Sequence, residues 1–246
     1  MPTYAASIDC ATPAGPFVHF WRSTGYTPAT LTFDPALQET LDHLAGLPLT
    51  PSGLPGLRYV RIHWLLDLVT VKGMEQERPV YDWSRLDQAL DELVARGMCP
   101  FFELMGNPSG VFGDMRKPGM AEMWRRLVRD LARHLCDRYG REEVVSWPFE
   151  TWNEPDTPWW SWGGIDGLKR YVDACEAGLH DVDQRIQFGG PGSAASLSEP
   201  LKALLAHCVG LTVNAVHEAY NRRPKAIAHA DRIAEAMDET IWCAAA

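Results

Sequence analysis

The chain has 246 residues, 46% of them hydrophobic and 22% charged, a composition typical of one well-packed domain. Its 23 lysines and arginines against 32 aspartates and glutamates give a formal net charge of -9. This acidic balance argues against nucleic acid as a partner and favours a neutral ligand. No stretch approaches the roughly 20 apolar residues of a membrane-spanning helix, so no membrane association is predicted.

The amino terminus and the cysteines indicate the compartment. Residues 1–9 contain neither a basic segment nor an apolar run of the length that a secretory signal requires. The six cysteines lie far apart without Cys-x-x-Cys spacing, which predicts free thiols rather than a zinc site. We therefore expect a cytoplasmic protein that uses neither a metal nor another cofactor.

Strands and helices alternate along the chain. Apolar periodicity predicts strands at 17–21, 57–64, 99–104, 144–153, 185–189 and 212–217. A loop through Ser23, Thr24 and Gly25 follows the first strand, and Asp34 caps the first helix. Helices are predicted at 35–45, from Asp82 or Ser84 to Gly97, and at 120–138, 165–180, 197–207 and 224–237. Residues 240–243 begin a seventh strand.

This alternation predicts an α/β fold of the (β/α)8 TIM-barrel type. The chain, 1–246, then forms a single barrel domain that is incomplete at its C-terminal end. It stops after about six and a half strand–helix units, whereas the barrel needs eight. We expect self-association through the open barrel edge that this leaves.

Period-two alternation places charged side chains inside the predicted barrel. Arg61 and His63 share the face of the second strand that does not meet the helices. Glu103 in the third strand and Glu150 in the fourth also point inward, where a buried carboxylate needs a cationic partner. The sequence predicts that Arg61 joins both carboxylates in a structural ion network, with His63 nearer the mouth.

The fourth strand carries the stretch around which the chain is organised. Pro148 interrupts it, which predicts a bulge or a late start of the strand. The strand then ends in Asn153 and Glu154, and Pro155 prevents its continuation. Catalytic groups of β/α barrels lie at the carboxyl ends of the strands, so Glu154 is a candidate acid/base and Asn153 its companion. Taken alone, the stretch is equally consistent with a surface glutamate after a proline-terminated strand.

Four further motifs, together with this pair, resemble the family 39 glycoside hydrolases, closest to the α-L-iduronidase and β-xylosidase type. They are Phe20–Gly25, Arg61–Thr70, Phe102–Gly106 and Gly189–Gly192. The resemblance runs from about 17 to about 217. It implies a retaining hydrolase of O-glycosyl bonds, acting on β-xylosides or α-L-iduronides, with Glu154 as the general acid/base.

The resemblance also implies substrate contacts. Asn153 would hydrogen-bond the sugar hydroxyl next to the anomeric carbon, and His63 and His217 would touch the sugar. The alternative for His63 is a hydrogen-bonded histidine of the core. The resemblance does not extend to the tryptophans of the following loop, Trp159, Trp160 and Trp162. Their rings could stack on a small saccharide or simply pack against the barrel rim, and both interpretations remain open.

The sequence has no residue that matches the catalytic nucleophile implied by the resemblance. The resemblance places a glutamate at the end of strand seven, but 243–246 contain no carboxylate. The activity of the chain is therefore in doubt, and two hypotheses follow. The first is a retaining glycoside hydrolase; the alternative is a non-catalytic truncated homologue that at most binds a saccharide.

We predict that neutral sugars bind better than anionic ones. The iduronidase pattern has a lysine shortly after the histidine that matches His217, whereas this chain has Glu218 directly after it, and an acid would repel a uronate. Saturation-transfer NMR should show a methyl β-xyloside binding more tightly than an α-L-iduronide. Tighter binding of the iduronide would refute this preference.

Overall fold

The computed structural model describes residues 22–46, 57–75, 78–195 and 198–208. Its main sheet has five parallel strands in the order β1 (Ser23–Tyr26), β2 (Tyr59–Ile62), β5 (Cys99–Glu103), β6 (Pro148–Glu150) and β7 (Gln187–Gly189). A separate antiparallel hairpin consists of β3 (Thr70–Glu75) and β4 (Arg78–Asp82). Apart from the hairpin, each strand pairs with the next strand along the chain, as in a β/α barrel.

Helices connect the strands and cover one face of the sheet. They are α1 (Pro35–Ala45), α2 (Ser84–Val94), α3 (Met120–Tyr139), α4 (Arg141–Val145) and α5 (Gly164–His180), with a further helical segment at 199–208. The carboxylate of Asp34 accepts a hydrogen bond from the backbone N–H of Ala36 at 2.8 Å, which confirms the predicted cap of α1. The predicted helix at 120–138 corresponds to α3, which buries an apolar stripe that includes Trp124, Leu127, Val128, Leu131 and Leu135.

The predicted loop at Ser23–Gly25 is wrong, because these residues form most of β1. The strand pairs in parallel with β2, with Ser23 opposite Tyr59 and Gly25 opposite Arg61. A Cβ on Gly25 would lie 2.6 Å from the carbonyl oxygen of Arg61, so glycine lets the two strands approach. The strand predicted at 17–21 lies outside the described residues, as do the elements predicted beyond 208.

The fourth predicted strand starts late, as Pro148 indicated. Residues that were predicted as its beginning, 144–147, instead belong to α4 and the turn after it, so that part of the prediction is wrong. β6 begins at Pro148 itself. The first residue of a strand is a position where proline, which has no N–H to donate, is tolerated.

The β3–β4 hairpin was not predicted. It occupies the connection between β2 and α2, and its base is fixed by a hydrogen bond from Val71 N–H to Ser109 Oγ at 2.8 Å. Exposed and half-buried residues follow each other in it without a regular period, so there was no pattern to detect. Asp82 and Ser84, expected at the start of the next helix, are not its N-cap, because Asp82 ends β4, Trp83 is the N-cap and Ser84 is the first residue of α2. The carboxylate of Asp82 still accepts a hydrogen bond from the backbone N–H of Ser84 at 3.0 Å.

Four cysteines lie within the described residues. Cys99, Cys136, Cys175 and Cys208 are free thiols, as predicted. Among the helices in these ranges, none combines the length and the apolar character that crossing a membrane would require.

The contact between α3 and α5 depends on one glycine. A Cβ added to Gly178 would lie 2.7 Å from the carbonyl oxygen of Arg125 and 2.8 Å from Cβ of Val128. The two helix backbones therefore approach each other closely at this point, and any side chain there would push them apart.

We predict that Gly178→Ala lowers the free energy of unfolding. Overpacking costs about 1–3 kcal/mol, which exceeds the gain in helix propensity of roughly 1 kcal/mol. Urea unfolding followed by circular dichroism measures the change. Gly113→Ala is the control, because a Cβ there meets nothing within 4 Å. Equal stability of Gly178→Ala and the parent chain would contradict this account of the helix contact.

Candidate active site

A network of charged side chains crosses the inner face of the sheet. Arg61 on β2 reaches carboxylates on the next two strands: its Nη2 lies 2.5 Å from Glu103 Oε1, and its Nε donates to Glu150 Oε2 at 2.6 Å. Glu103 is fully buried and Glu150 is 7% exposed. Strand alternation led us to expect these three residues on one face, and Arg61 does contact both carboxylates.

Burial and pairing have opposite effects on the ionisation of this network. Burial raises the pKa of Glu103, and the contacts with His63 and Arg61 offset that effect only in part. Burial by itself would lower the pKa of Arg61, but its hydrogen bonds and ion pairs with Glu150 and Glu103 outweigh burial and raise it. Arg61 therefore stays charged between the two carboxylates.

Arg61 also orients Asn153. Its Nη2 donates a hydrogen bond to Asn153 Oδ1 at 3.1 Å. Because a guanidinium group has only donors, the amide oxygen must face it, and the amide NH2 group is left for other contacts. Asn153 is therefore arranged to offer a donor to a ligand atom that accepts, such as a hydroxyl oxygen.

Glu103 orients His63 in a similar way. The Nδ1 atom of His63 lies 2.5 Å from Glu103 Oε2. A carboxylate accepts hydrogen bonds, so Nδ1 carries the proton and Nε2 is the ring nitrogen available for a ligand. The side chain of His63 is 22% exposed, which leaves part of the ring open to solvent.

Glu154 stands exposed just beyond β6 in a strained backbone conformation. Its φ of 49° lies in the left-handed region, which non-glycine residues seldom occupy and which is enriched at functional sites. Its backbone N–H donates to the carbonyl oxygen of Gly192 at 2.7 Å. Its own carbonyl oxygen accepts hydrogen bonds from Thr157, from the backbone N–H at 3.1 Å and from Oγ1 at 2.8 Å. These bonds hold the conformation in place.

The segment after β7 supports the Asn153–Glu154 pair from one side. Asn153 and Gly192 form a parallel β-bridge. A Cβ on Gly192 would lie 2.8 Å from Arg61 Nη2 and 3.4 Å from Asn153 Oδ1, so only glycine leaves room for the contact between these two side chains. In the sequence, Gly189–Gly192 stood out only as part of a resemblance. Glycines at and after the end of a strand were the signal of this close approach.

The three loop tryptophans have different environments. Trp160 and Trp162 are only 9% and 6% exposed, and they pack with Trp152, whose ring centroid is 4.8 Å from that of Trp162. The packing interpretation is therefore correct for these two. Trp159 is 84% exposed, so its ring is open to a ligand. His217 lies outside the described residues.

The described ranges contain no group of three or more His, Cys, Asp or Glu side chains that could hold a metal ion. What they do contain is a parallel β/α sheet whose carboxyl edge carries an exposed glutamate, a fixed amide donor and a fixed histidine. These features are typical of β/α-barrel-like proteins, whose functional sites lie at the carboxyl ends of the strands.

Comparison with known proteins identifies the family. The profile of "Glycosyl hydrolases family 39" matches residues 4–238, and the chain belongs to this family. It is 38% identical over 219 residues to alpha-L-iduronidase of Mus musculus, an alignment that covers 85% of this chain and 34% of that protein. It is 35% identical over 153 residues to a beta-xylosidase of Caldicellulosiruptor saccharolyticus, covering 56% of this chain and 31% of that protein.

Among solved structures, the chain is similar to that of a bacterial orthologue of human α-L-iduronidase, with 43% identity and a TM-score of 0.72. The match covers 78% of this chain and 30% of the other. The chain thus spans about a third of the length of the curated relatives it matches.

We predict that Arg61→Ala strongly destabilises the fold. The substitution leaves two buried carboxylates without their cation, which costs about 3–5 kcal/mol. The free energy of unfolding in urea measures the loss. Arg185→Ala is the matched control, since Arg185 also pairs with two carboxylates, Glu142 and Asp183, but lies at the surface, where ion pairs contribute little. Equal losses in the two variants would contradict the role of burial.

Proposed function

We propose that this chain carries the acid/base part of a retaining site for O-glycoside hydrolysis, with Glu154 as the general acid and then the base. The observation that carries the proposal is the exposed Glu154 shortly after β6, held by backbone hydrogen bonds beside an oriented Asn153. The names of the relatives, iduronidase and xylosidase, support a substrate among α-L-iduronides or β-xylosides.

Glu154 would protonate the glycosidic oxygen as the bond to the sugar breaks. In the second step it would take a proton from the water that releases the sugar. A retaining mechanism needs a second carboxylate about 5–5.5 Å away as the nucleophile. Glu103 and Glu150 do not suit that role, because both are buried and engaged with Arg61. The strand-seven position at which the nucleophile is expected lies outside the described residues.

The neighbouring residues would bind and orient the sugar. Asn153 would donate its amide N–H to the hydroxyl next to the anomeric carbon, where hydrogen bonds contribute to transition-state stabilisation. His63 would present Nε2 to a sugar hydroxyl, because Glu103 holds Nδ1. The exposed ring of Trp159 would stack on the apolar face of a sugar. His217 is the remaining residue in the proposed set of sugar contacts. A closed eight-stranded barrel would enclose these contacts.

We predict that Glu154→Gln lowers kcat/KM for a phenyl glycoside, a poor leaving group, by about 10²–10⁴, the usual contribution of general acid catalysis. The loss should be smaller on a dinitrophenyl glycoside, whose leaving group needs no proton. Rates are measured by release of the phenol from β-xylosides and α-L-iduronides.

Glu122→Gln is the control for this substitution, because it makes the same change on the exposed surface of α3. Its rates should equal those of the parent chain on both leaving groups. Equal rates of Glu154→Gln and the parent chain on the phenyl glycoside would remove Glu154 from the proposed role.

A further inference from the structure

A concave region opens beside the strand ends, apart from Asn153 and Glu154. It is a cavity of about 310 Å³, lined by Pro28, Ala29, Thr30, Trp64, Asp67 and Leu68. The first three residues follow β1 and the last three follow β2. Because β1 and β2 are adjacent and parallel, both connections leave the sheet at the edge from which Glu154 also projects.

The walls of this cavity combine an aromatic ring with a carboxylate. Oδ1 of Asp67 accepts a hydrogen bond from the backbone N–H of Asn107 at 2.7 Å. Within the described ranges Oδ2 has no such partner, and Asp67 is exposed. A carboxylate only accepts hydrogen bonds, so it suits ligand hydroxyl groups and repels anions. The Trp64 indole, with Pro28 and Leu68, supplies the apolar surface.

The wall of the cavity that follows β2 is held in place by backbone contacts. Trp64 has a left-handed backbone with φ of 66°, and its carbonyl oxygen accepts the N–H of Asp67 at 3.1 Å. The N–H of Leu66 donates to Met105 O at 3.0 Å. Gly106 approaches so closely that a Cβ on it would lie 2.6 Å from the nitrogen of Asp67. This wall is therefore preformed, as is usual for ligand pockets.

Trp64 connects this cavity to the acid/base segment. Its ring meets that of Trp152 edge to face, with centroids 5.6 Å apart. Trp152 precedes Glu154 by two residues, and Trp64 directly follows His63. The Trp64 wall of the cavity is therefore in contact with the segment that carries Glu154.

We propose that the cavity is a subsite for one neutral pyranose ring of a substrate that has more than one sugar. The inference rests on the proposed function, because it places the scissile bond at Glu154. The volume lies at the small end of the range for ligand pockets, which suits a single ring rather than a chain of them. The hydroxyl groups of the ring would donate to Asp67, and its C–H face would lie against Trp64.

Titration of the full chain with methyl β-xyloside and methyl β-xylobioside, followed by NMR or calorimetry, tests the subsite. The disaccharide should bind about tenfold more tightly, the size of one good aromatic contact. Thr30→Trp, which fills the cavity, should abolish this difference and leave binding of the one-ring glycoside unchanged. Asp67→Asn, which keeps the acceptor for Asn107, should reduce the difference about threefold by weakening the bonds to the hydroxyl groups.

Thr70→Trp is the matched control, because Thr70 is an exposed threonine on the neighbouring hairpin and does not line the cavity. It should retain the preference for the disaccharide. Equal affinity of the parent chain for the two probes would overturn the subsite and leave the proposed function standing. Failure of both probes to bind would overturn both. A disaccharide preference that survives in Thr30→Trp would place the second ring elsewhere and refute the subsite.

Discussion

The placement of Arg61 between Glu103 and Glu150 is the constraint on which the rest of the site depends. Two carboxylates from adjacent strands are buried on the inner face of the sheet, and burying a charge is costly unless it is paired. Arginine meets this requirement because its planar group carries several donors in fixed directions. The Nη2 group of Arg61, which contacts Glu103, also donates a hydrogen bond to Asn153. The same arginine therefore stabilises the buried layer and orients a side chain near the strand ends.

Contacts between neighbouring connections explain how the strand ends hold strained residues. Left-handed backbone at a non-glycine residue costs of order 1–3 kcal/mol and persists only where the surroundings enforce it. At Glu154 the enforcing contacts come from Gly192 and Thr157. At Trp64 they come from the connection after β5, through Met105 and Gly106. Neighbouring connections therefore hold one another in these backbone conformations.

Strand periodicity predicted the interior of the site, while the contacts between connections could not be predicted. Arg61, Glu103 and Glu150 follow from period-two alternation and from the cost of an unpaired charge. The orientation of Asn153 depends on Gly192, which comes from another strand end, and no local pattern encodes that distance. The sequence could not separate the buried Trp160 from the exposed Trp159 for the same reason: both are tryptophans in one loop, and tertiary packing decides between them.

The strands and their connections therefore contribute different properties. The strands place charged side chains in a buried layer. Removing one member of an ion pair there leaves a buried charge without a partner and destabilises the fold. The connections supply aromatic surface and hydrogen-bonding groups, and their exposed members, such as Trp159 and Asp67, can change without leaving a buried charge unpaired. Substitutions in the strand layer should mainly lower stability, whereas substitutions at exposed connection residues should mainly alter ligand affinity. Asn153 belongs to both groups, because it lies in a connection and is oriented by the buried network.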